Sequence, residues 1–242
     1  MVNMIKNIFI YWAQGFGFAP EVVQKCLLSW KIRNPTWTIY ELDDLNISNF
    51  ININESIPDM NKKTISKTGY SDIVRIHLLE KYGGCWCDAT TFCNIPLDEW
   101  LPNKIVSGFF AFQRRDMGPN IKTSSWFIYS DLSNHIITSW KKHTISFWGT
   151  NNESIQYFWF HHLFADLYRT NTQFQEMWDS TQKMCAGPPH FLQSIGLLKS
   201  PVTENVKIHI NDKKTPMYKL SYKFNKKEYN DKCNLSYLLN SI

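Results

Sequence analysis

The chain reads as an α/β protein on three observations. A β-prone run, an apolar-periodic helix and a second β-prone run follow one another between residues 7 and 42. A second helix, closed by Gly83-Gly84, leads into another β-prone run at 85–90. Later segments go on mixing strand-like and helical patterns, with no internal repeat and no linker that would divide the chain. Strands alternating with helices are the mark of this class.

Each element has its own warrant. Residues 7–12 (NIFIYW) are short and β-prone, as a buried first strand is. Gly15 and Gly17 in the following loop allow a ligand close to the backbone. Their spacing is not G-x-G-x-x-G, so no dinucleotide fingerprint is present. Pro20 fits the first position of a helix. Val22, Val23, Cys26, Leu27 and Trp30 then recur at helical spacing as far as Arg33. Asn34-Pro35 ends that helix, and residues 37–42 form the second strand. Asp43 and Asp44 follow it, either facing a ligand or capping a helix near Leu45. Residues 47–67 are polar and Asn-rich, which predicts surface helix and loop.

Tyr70-Ser71-Asp72 can start the central helix, because Ser and Asp side chains accept from the free N–H groups of a first turn. Ile73, Val74, Ile76, Leu78 and Leu79 are too many for a narrow stripe, so this helix is expected to be buried on most sides. Asp72 and Arg75 share one face. A charge in such a helix is either paired or open to a cleft. Glycine stops the helix cheaply. In an extended run 85–90, Trp86, Asp88 and Thr90 point to one side. An acid at the C-terminal end of a strand sits where α/β folds bind ligands.

Further along, 104–113 and 125–130 read as strands joined by a loop containing Arg114, Arg115 and Asp116. Residues 135–148 and 153–169 are helical by pattern. His162 and Asp166 stand four apart in the second, but lack a third partner for a metal site. Residues 187–198 read as a turn and short helix, and 206–210 as a late strand. In an extended 216–223, Lys219, Ser221 and Lys223 share a face suited to a diphosphate, through charge-assisted hydrogen bonds.

Composition narrows the function. The 242 residues are 43% hydrophobic and 19% charged, ordinary for a folded domain able to bury a full core. Aromatics reach 15%, with ten Trp, which suits sugar stacking as well as core packing. The net charge is +5, and lysines gather at 213, 214, 219, 223, 226 and 227. Such a cluster attracts phosphate, an anionic membrane or nucleic acid, or is simply a solvated tail. No recognition motif accompanies it, so no nucleic acid is expected as a partner. The six cysteines form no C-x-x-C pair, and neither a secretory signal nor a membrane-length apolar run is visible. Free thiols and a cytoplasmic setting are therefore expected.

The combination S-D-x-x-R at 71–75, L-L-x-K-Y-G-G-x-W-x-D-A-T at 78–90 and P-L-D at 96–98 resembles the capsular polysaccharide synthesis proteins. These are relatives of glycosyltransferase family 32, whose members carry a D-x-D sugar-binding motif. The arrangement also looks like the catalytic domain of the large clostridial glucosylating toxins. Y-W-x-Q-G-x-x-x-A-P at 11–20, C-L-x-S-W at 26–30, N-P-x-W at 34–37 and K-L-x-Y-K at 219–223 extend the likeness along nearly the whole chain.

The resemblance implies a GT-A-like nucleotide-sugar-binding fold, with a mixed central sheet flanked by helices. It would occupy residues 1–242 as one domain: a nucleotide-sugar half at 1–100, an acceptor half at 101–215 and a basic segment at 216–242. The activity implied is transfer of a sugar from a nucleoside diphosphate sugar, UDP-linked first among donors, to a saccharide. Retention of configuration is implied too, with no dedicated base. A lipid-linked acceptor would bring the protein to a membrane surface. Asp88 and Arg75 would be catalytic. Trp12 would stack on the base or serve as a core Trp. Asp72 would bind ribose or sugar, Arg75 sugar or phosphate, and Trp86 would line the pocket. Lys219 and Lys223 would meet the diphosphate. Trp126 is a candidate for the acceptor cleft. Mn²⁺ or Mg²⁺ would rest on Asp88 and Thr90, with His209 the nearest late histidine. Here D-A-T replaces the full D-x-D, so the second carboxylate is missing. A binding module without turnover is the alternative reading.

Overall fold

The computed structural model describes residues 4–114, 117–154, 156–196, 198–223 and 232–242. In chain order the elements are β1 Asn7–Tyr11, α1 Glu21–Arg33, β2 Thr38–Leu42, α2 Ile53–Ser56 and α3 Lys67–Tyr82. Then come β3 Gly84–Asp88, β4 Thr91–Cys93, α4 Leu97–Trp100, β5 Phe109–Gln113 and β6 Thr123–Ser130. The remainder is α5 His135–Thr150, α6 Trp159–Thr170, α7 Thr172–Ser180, α8 Glu204–Asn211, β7 Met217–Lys219 and α9 Asn234–Leu239.

One sheet runs β2-β1-β3-β6-β5. β2, β1 and β3 are parallel, while β6 pairs antiparallel with both β3 and β5. The expected α/β architecture with a mixed central sheet flanked by helices is therefore what forms. From β1 the chain crosses to β2 on one side and returns through α3 to β3 on the other. The order thus reverses at β1, and the crevice beyond the C-terminal ends of β1 and β3 is where such a sheet receives ligands.

Alternation along the strands assigns the two faces. Ile8, Ile10, Cys85 and Cys87 pack with Val23, Leu27 and Trp30 of α1, while Phe9, Tyr11 and Trp86 join the cluster containing α3 and α5. A third cluster places α9 against Val22 and Cys26 of α1 and Tyr218 of β7. The basic C-terminal segment is thus partly structural; its Lys226 and Lys227 lie outside the described residues. All six cysteines are free, as expected.

The diglycine has a sharper reason than helix termination. Gly83 caps α3 at φ 61°, but Gly84, at φ +93°, also meets β1: a Cβ there would lie 2.6 Å from the Asn7 carbonyl oxygen. Only glycine lets β3 start flush against its neighbour.

Several elements differ from the sequence reading; the strand expected at 104–113 starts only at Phe109. α3 starts at Lys67 rather than near Tyr70, because Ser66 is the cap and accepts from the Gly69 N–H at 3.0 Å. Residues 47–67 are not merely surface, since Ile47, Ile51, Ile53, Ile57 and Met60 are core. The expected late strand at 206–210 is helix α8, capped by Thr203, with Val206 and Ile210 one turn apart and both buried. The helix expected at 153–169 begins only at Trp159, and a further helix that the sequence reading did not include, α7, follows it after a single residue.

Candidate active site

The site begins with the alternation of β3. Trp86 and Asp88 emerge on the α3 face, and the Trp86 indole N–H donates to Asp88 Oδ1 at 2.9 Å. From α3, Arg75 crosses the same space. Its Nη2 donates to Asp88 Oδ1 at 3.2 Å and its Nη1 pairs with Asp72 Oδ1 at 3.0 Å. Nη1 also donates to the Ser125 carbonyl of β6 at 2.8 Å, and Nη2 to Ser71 Oγ at 3.1 Å. Its guanidinium lies 5.0 Å from the Trp86 ring centroid, a cation–π contact. So α3, β3 and β6 are joined through one side chain.

The third wall comes from far along the chain. β7 pairs antiparallel with β4, setting Lys219 opposite Thr91, and the Leu220 N–H donates to the Thr90 carbonyl at 2.8 Å. Lys219 Nζ then donates to Asp88 Oδ2 and to Thr90 Oγ1, each at 2.8 Å.

The motifs outside the pocket brace this arrangement. Ser29 Oγ accepts from the Cys93 N–H at 2.9 Å, and Trp30 donates its indole N–H to the Thr91 carbonyl at 2.7 Å. Asn34 Oδ1 accepts from the Leu97 N–H at 2.8 Å, and Trp37 donates to Asp98 Oδ1 at 3.0 Å. C-L-x-S-W, N-P-x-W and P-L-D therefore hold β4 and the turn after it, and through β4 the strand that carries Lys219.

A cleft of about 300 Å³ opens beside these groups, lined by Trp12, Trp86, Asp88, Thr90, Lys219 and Lys223 among others. That lies at the small end of ligand pockets. Trp12 is half-buried and meets Tyr222 edge-on at 5.0 Å. The lining includes three lysines, Lys67, Lys219 and Lys223, against the single carboxylate Asp88. Sequence reasoning missed Lys67, Tyr157 and Tyr222, which also face the cleft. Lys67 sits in the first turn of α3, and the apolar periodicity that revealed the helix starts later.

Asp72 and Arg75 do not reach the cleft surface: they are 4% and 2% exposed. Asp88 is the member of the trio that opens outward, its side chain 26% exposed. Burial opposes its ionisation, but Lys219 and Arg75 outweigh that and hold its carboxyl down to about 2. Burial pushes Asp72 up to about 7 against the pull of Arg75, with the Asp88 charge adding to the rise. His161 on α6 is a further neighbour of the trio. Burial, and then Arg75, push its imidazole down to about 3, and its Nδ1 is buried without a partner.

Other candidates lie elsewhere. His209 stacks on Phe191 and hydrogen-bonds the Tyr218 hydroxyl, on the opposite side of β7 from Lys219. Trp126 is buried against Phe112 and His190. Asp166 pairs with His143 rather than with His162. Asp43 accepts from the N–H groups of Leu45 and Asn46, closing the turn after β2; the α-helix expected near Leu45 does not form, and a 3-10 turn at Ile47–Asn49 stands there. Asp44 accepts from the Tyr11 hydroxyl. Arg115 and Asp116 fall outside the described residues.

The family description "Capsular polysaccharide synthesis protein" matches residues 1–238. The chain belongs to this family. Among individual relatives, O-glycosyltransferase braB of Annulohypoxylon truncatum is 28% identical over 158 residues, which cover 57% of this chain. The match spans 37% of that relative's length. A solved structure, PaToxG Glycosyltransferase, aligns over 86% of this chain and 83% of its own at 16% identity, with a TM-score of 0.46. Among the described residues of this family member, no helix is long and apolar enough to cross a membrane.

The D-x-D likeness implies Mn²⁺ or Mg²⁺ at Asp88 and Thr90, and the donor set does not fit one. Asp88 Oδ1 is taken by Arg75 and Trp86, and Oδ2 by Lys219. Thr90 Oγ1 is held by the same ammonium. No group of three or more His, Cys, Asp or Glu among the described residues could hold a metal ion. These cations take oxygen ligands, often one or two carboxylates with substrate phosphates. Here the single carboxylate already balances two fixed positive charges.

Proposed function

We propose that the chain is a GT-A-like glycosyltransferase, moving a sugar from a nucleoside diphosphate sugar to a saccharide hydroxyl with retention of configuration. One observation carries this: the cleft beyond β1 and β3 gathers three lysines around one pinned carboxylate, with an indole at its rim. Family membership and the name of the curated relative agree with it.

In this reading Trp12 stacks on the nucleotide base. Asp88 accepts hydroxyl hydrogen bonds from ribose or sugar with the part of its carboxylate that faces the cleft. Arg75 and Asp72 act from behind, fixing Asp88 rather than touching the donor. Lys219 and Lys223 face the diphosphate. The bond from the anomeric carbon to the diphosphate oxygen breaks with its electron pair on the diphosphate. The acceptor oxygen bonds to the anomeric carbon, and its proton passes to the departing diphosphate, so no protein base is required. The protein's share is electrostatic: fixed positive charge where negative charge develops. The acceptor is a saccharide, and a lipid-linked one would bring the protein to a membrane surface.

A screen of UDP- and GDP-sugars, read by thermal shift and donor hydrolysis, tests the reading. At least one donor should bind and turn over, and Asp88→Asn and Arg75→Ala should each remove the effect. Binding without any turnover would leave a sugar-nucleotide-binding module instead. Two folded variants that handle donor like the parent would overturn the site assignment.

A further inference from the structure

We infer that Lys219 stands in for the divalent cation, so that this protein binds its nucleoside diphosphate without metal. The inference rests on the glycosyltransferase reading and goes one step into its chemistry. With Asp88 Oδ1 taken by Arg75 and Trp86, a cation held by these two residues would draw on Asp88 Oδ2 and Thr90 Oγ1. Lys219 Nζ is 2.8 Å from both. The ammonium therefore already holds both oxygens, and a dication brought there meets a like charge.

The ammonium is held in place by structure. β7 is fixed to β4 by its ladder, and β4 is fixed to α1 through Ser29 and Trp30. The side chain of Lys219 is only 16% exposed, so it keeps its place beside Asp88. A motif with two acids calls for a dication, whereas one acid and a hydroxyl are satisfied by a single positive charge. Lys67 and Lys223, both exposed on the cleft wall, bring the total facing a diphosphate to three lysines. The leaving group then departs toward fixed ammonium groups, with its electron pair stabilised by charge-assisted hydrogen bonds.

Calorimetric titration with UDP and with GDP, in EDTA and again with Mn²⁺ added, tests this directly. The parent should bind at least one of them with Kd unchanged within about twofold between the two conditions. Lys219→Ala should weaken that binding at least about tenfold in EDTA, a difference of roughly 1.4 kcal/mol. Binding that needs Mn²⁺ would overturn the inference and leave the glycosyltransferase reading standing. So would a Lys219→Ala protein that binds like the parent. No binding of either nucleotide in either condition would take down both. Should Lys219→Ala fail to fold, the EDTA comparison on the parent still decides.

Discussion

The two faces of the central sheet are built by alternate residues of the same strands, yet they differ in kind. Toward α1, β1 and β3 send Ile8, Ile10, Cys85 and Cys87 into an apolar layer with Val23, Leu27 and Trp30. Toward α3, β3 sends Trp86 and Asp88 against a helix that carries Asp72 and Arg75. The difference teaches how a small chain places ionised groups at the end of a packed sheet. A side-chain period of two lets one strand give one face to packing and the other to chemistry. The costly burial of charge is then confined to a single layer, where Arg75 satisfies two carboxylates and a carbonyl at once.

The largest test of that contrast is Arg75→Met. It leaves Asp72 buried without its partner and Asp88 with one cation fewer, and should cost about 3–5 kcal/mol by denaturant unfolding. Cys87→Ala on the apolar face removes only packing, and should cost about 1 kcal/mol. Equal losses would erase the distinction between the faces.

Trp12→Ala sharpens it further out, at the rim. Loss of a base-stacking ring is worth about 1–3 kcal/mol, so nucleotide affinity should fall about five- to 150-fold in a titration. Stability should hold, because Trp12 is half-buried and lies beyond the end of β1.

The smallest effect is a pH slope. Folding raises the Asp72 carboxyl from 3.8 to about 7, so the folded state keeps a proton that the unfolded chain releases. Stability from this group is full below 3.8 and is lost as pH rises toward 7. Asp88 has the opposite sign: its folded value is lowered from 3.8 to about 2, so its contribution is present above 3.8 and lost as pH falls toward 2. Asp72→Asn should therefore flatten the decline in denaturation midpoint across that upper window. An unchanged slope would show that Asp72 is ionised in the folded protein throughout it.

Much of this was readable in residue order. The β1-α1-β2 unit, the diglycine stop and the shared side of Trp86 and Asp88 follow from local rules, and local rules act within a few residues; the run expected to stay extended through Thr90 ends at Asp88, and Thr90 sits in the turn before β4. The faults also have local causes. The first turn of α3 is polar, so its periodicity starts late and Ser66 went unnoticed as the cap. V-K-I-H-I at 206–210 alternates like a strand, but Val206 and Ile210 are also one helical turn apart, and the buried face selected the helix. What spacing could not reveal is long-range. Nothing near Lys219 states that it will meet Asp88, 131 residues earlier. Nor does S-D-x-x-R state that its arginine will end behind the cleft wall rather than in it.

That last wall is delivered well after the strand it docks on. β4 leaves the ribosome more than a hundred residues before β7, the partner that brings Lys219. Until β7 docks, Asp88 and Thr90 have no ammonium between them. A chain stopping short of Lys219 can thus complete the five-stranded sheet and still lack one wall of the cleft, which ties the finished site to the docking of β7.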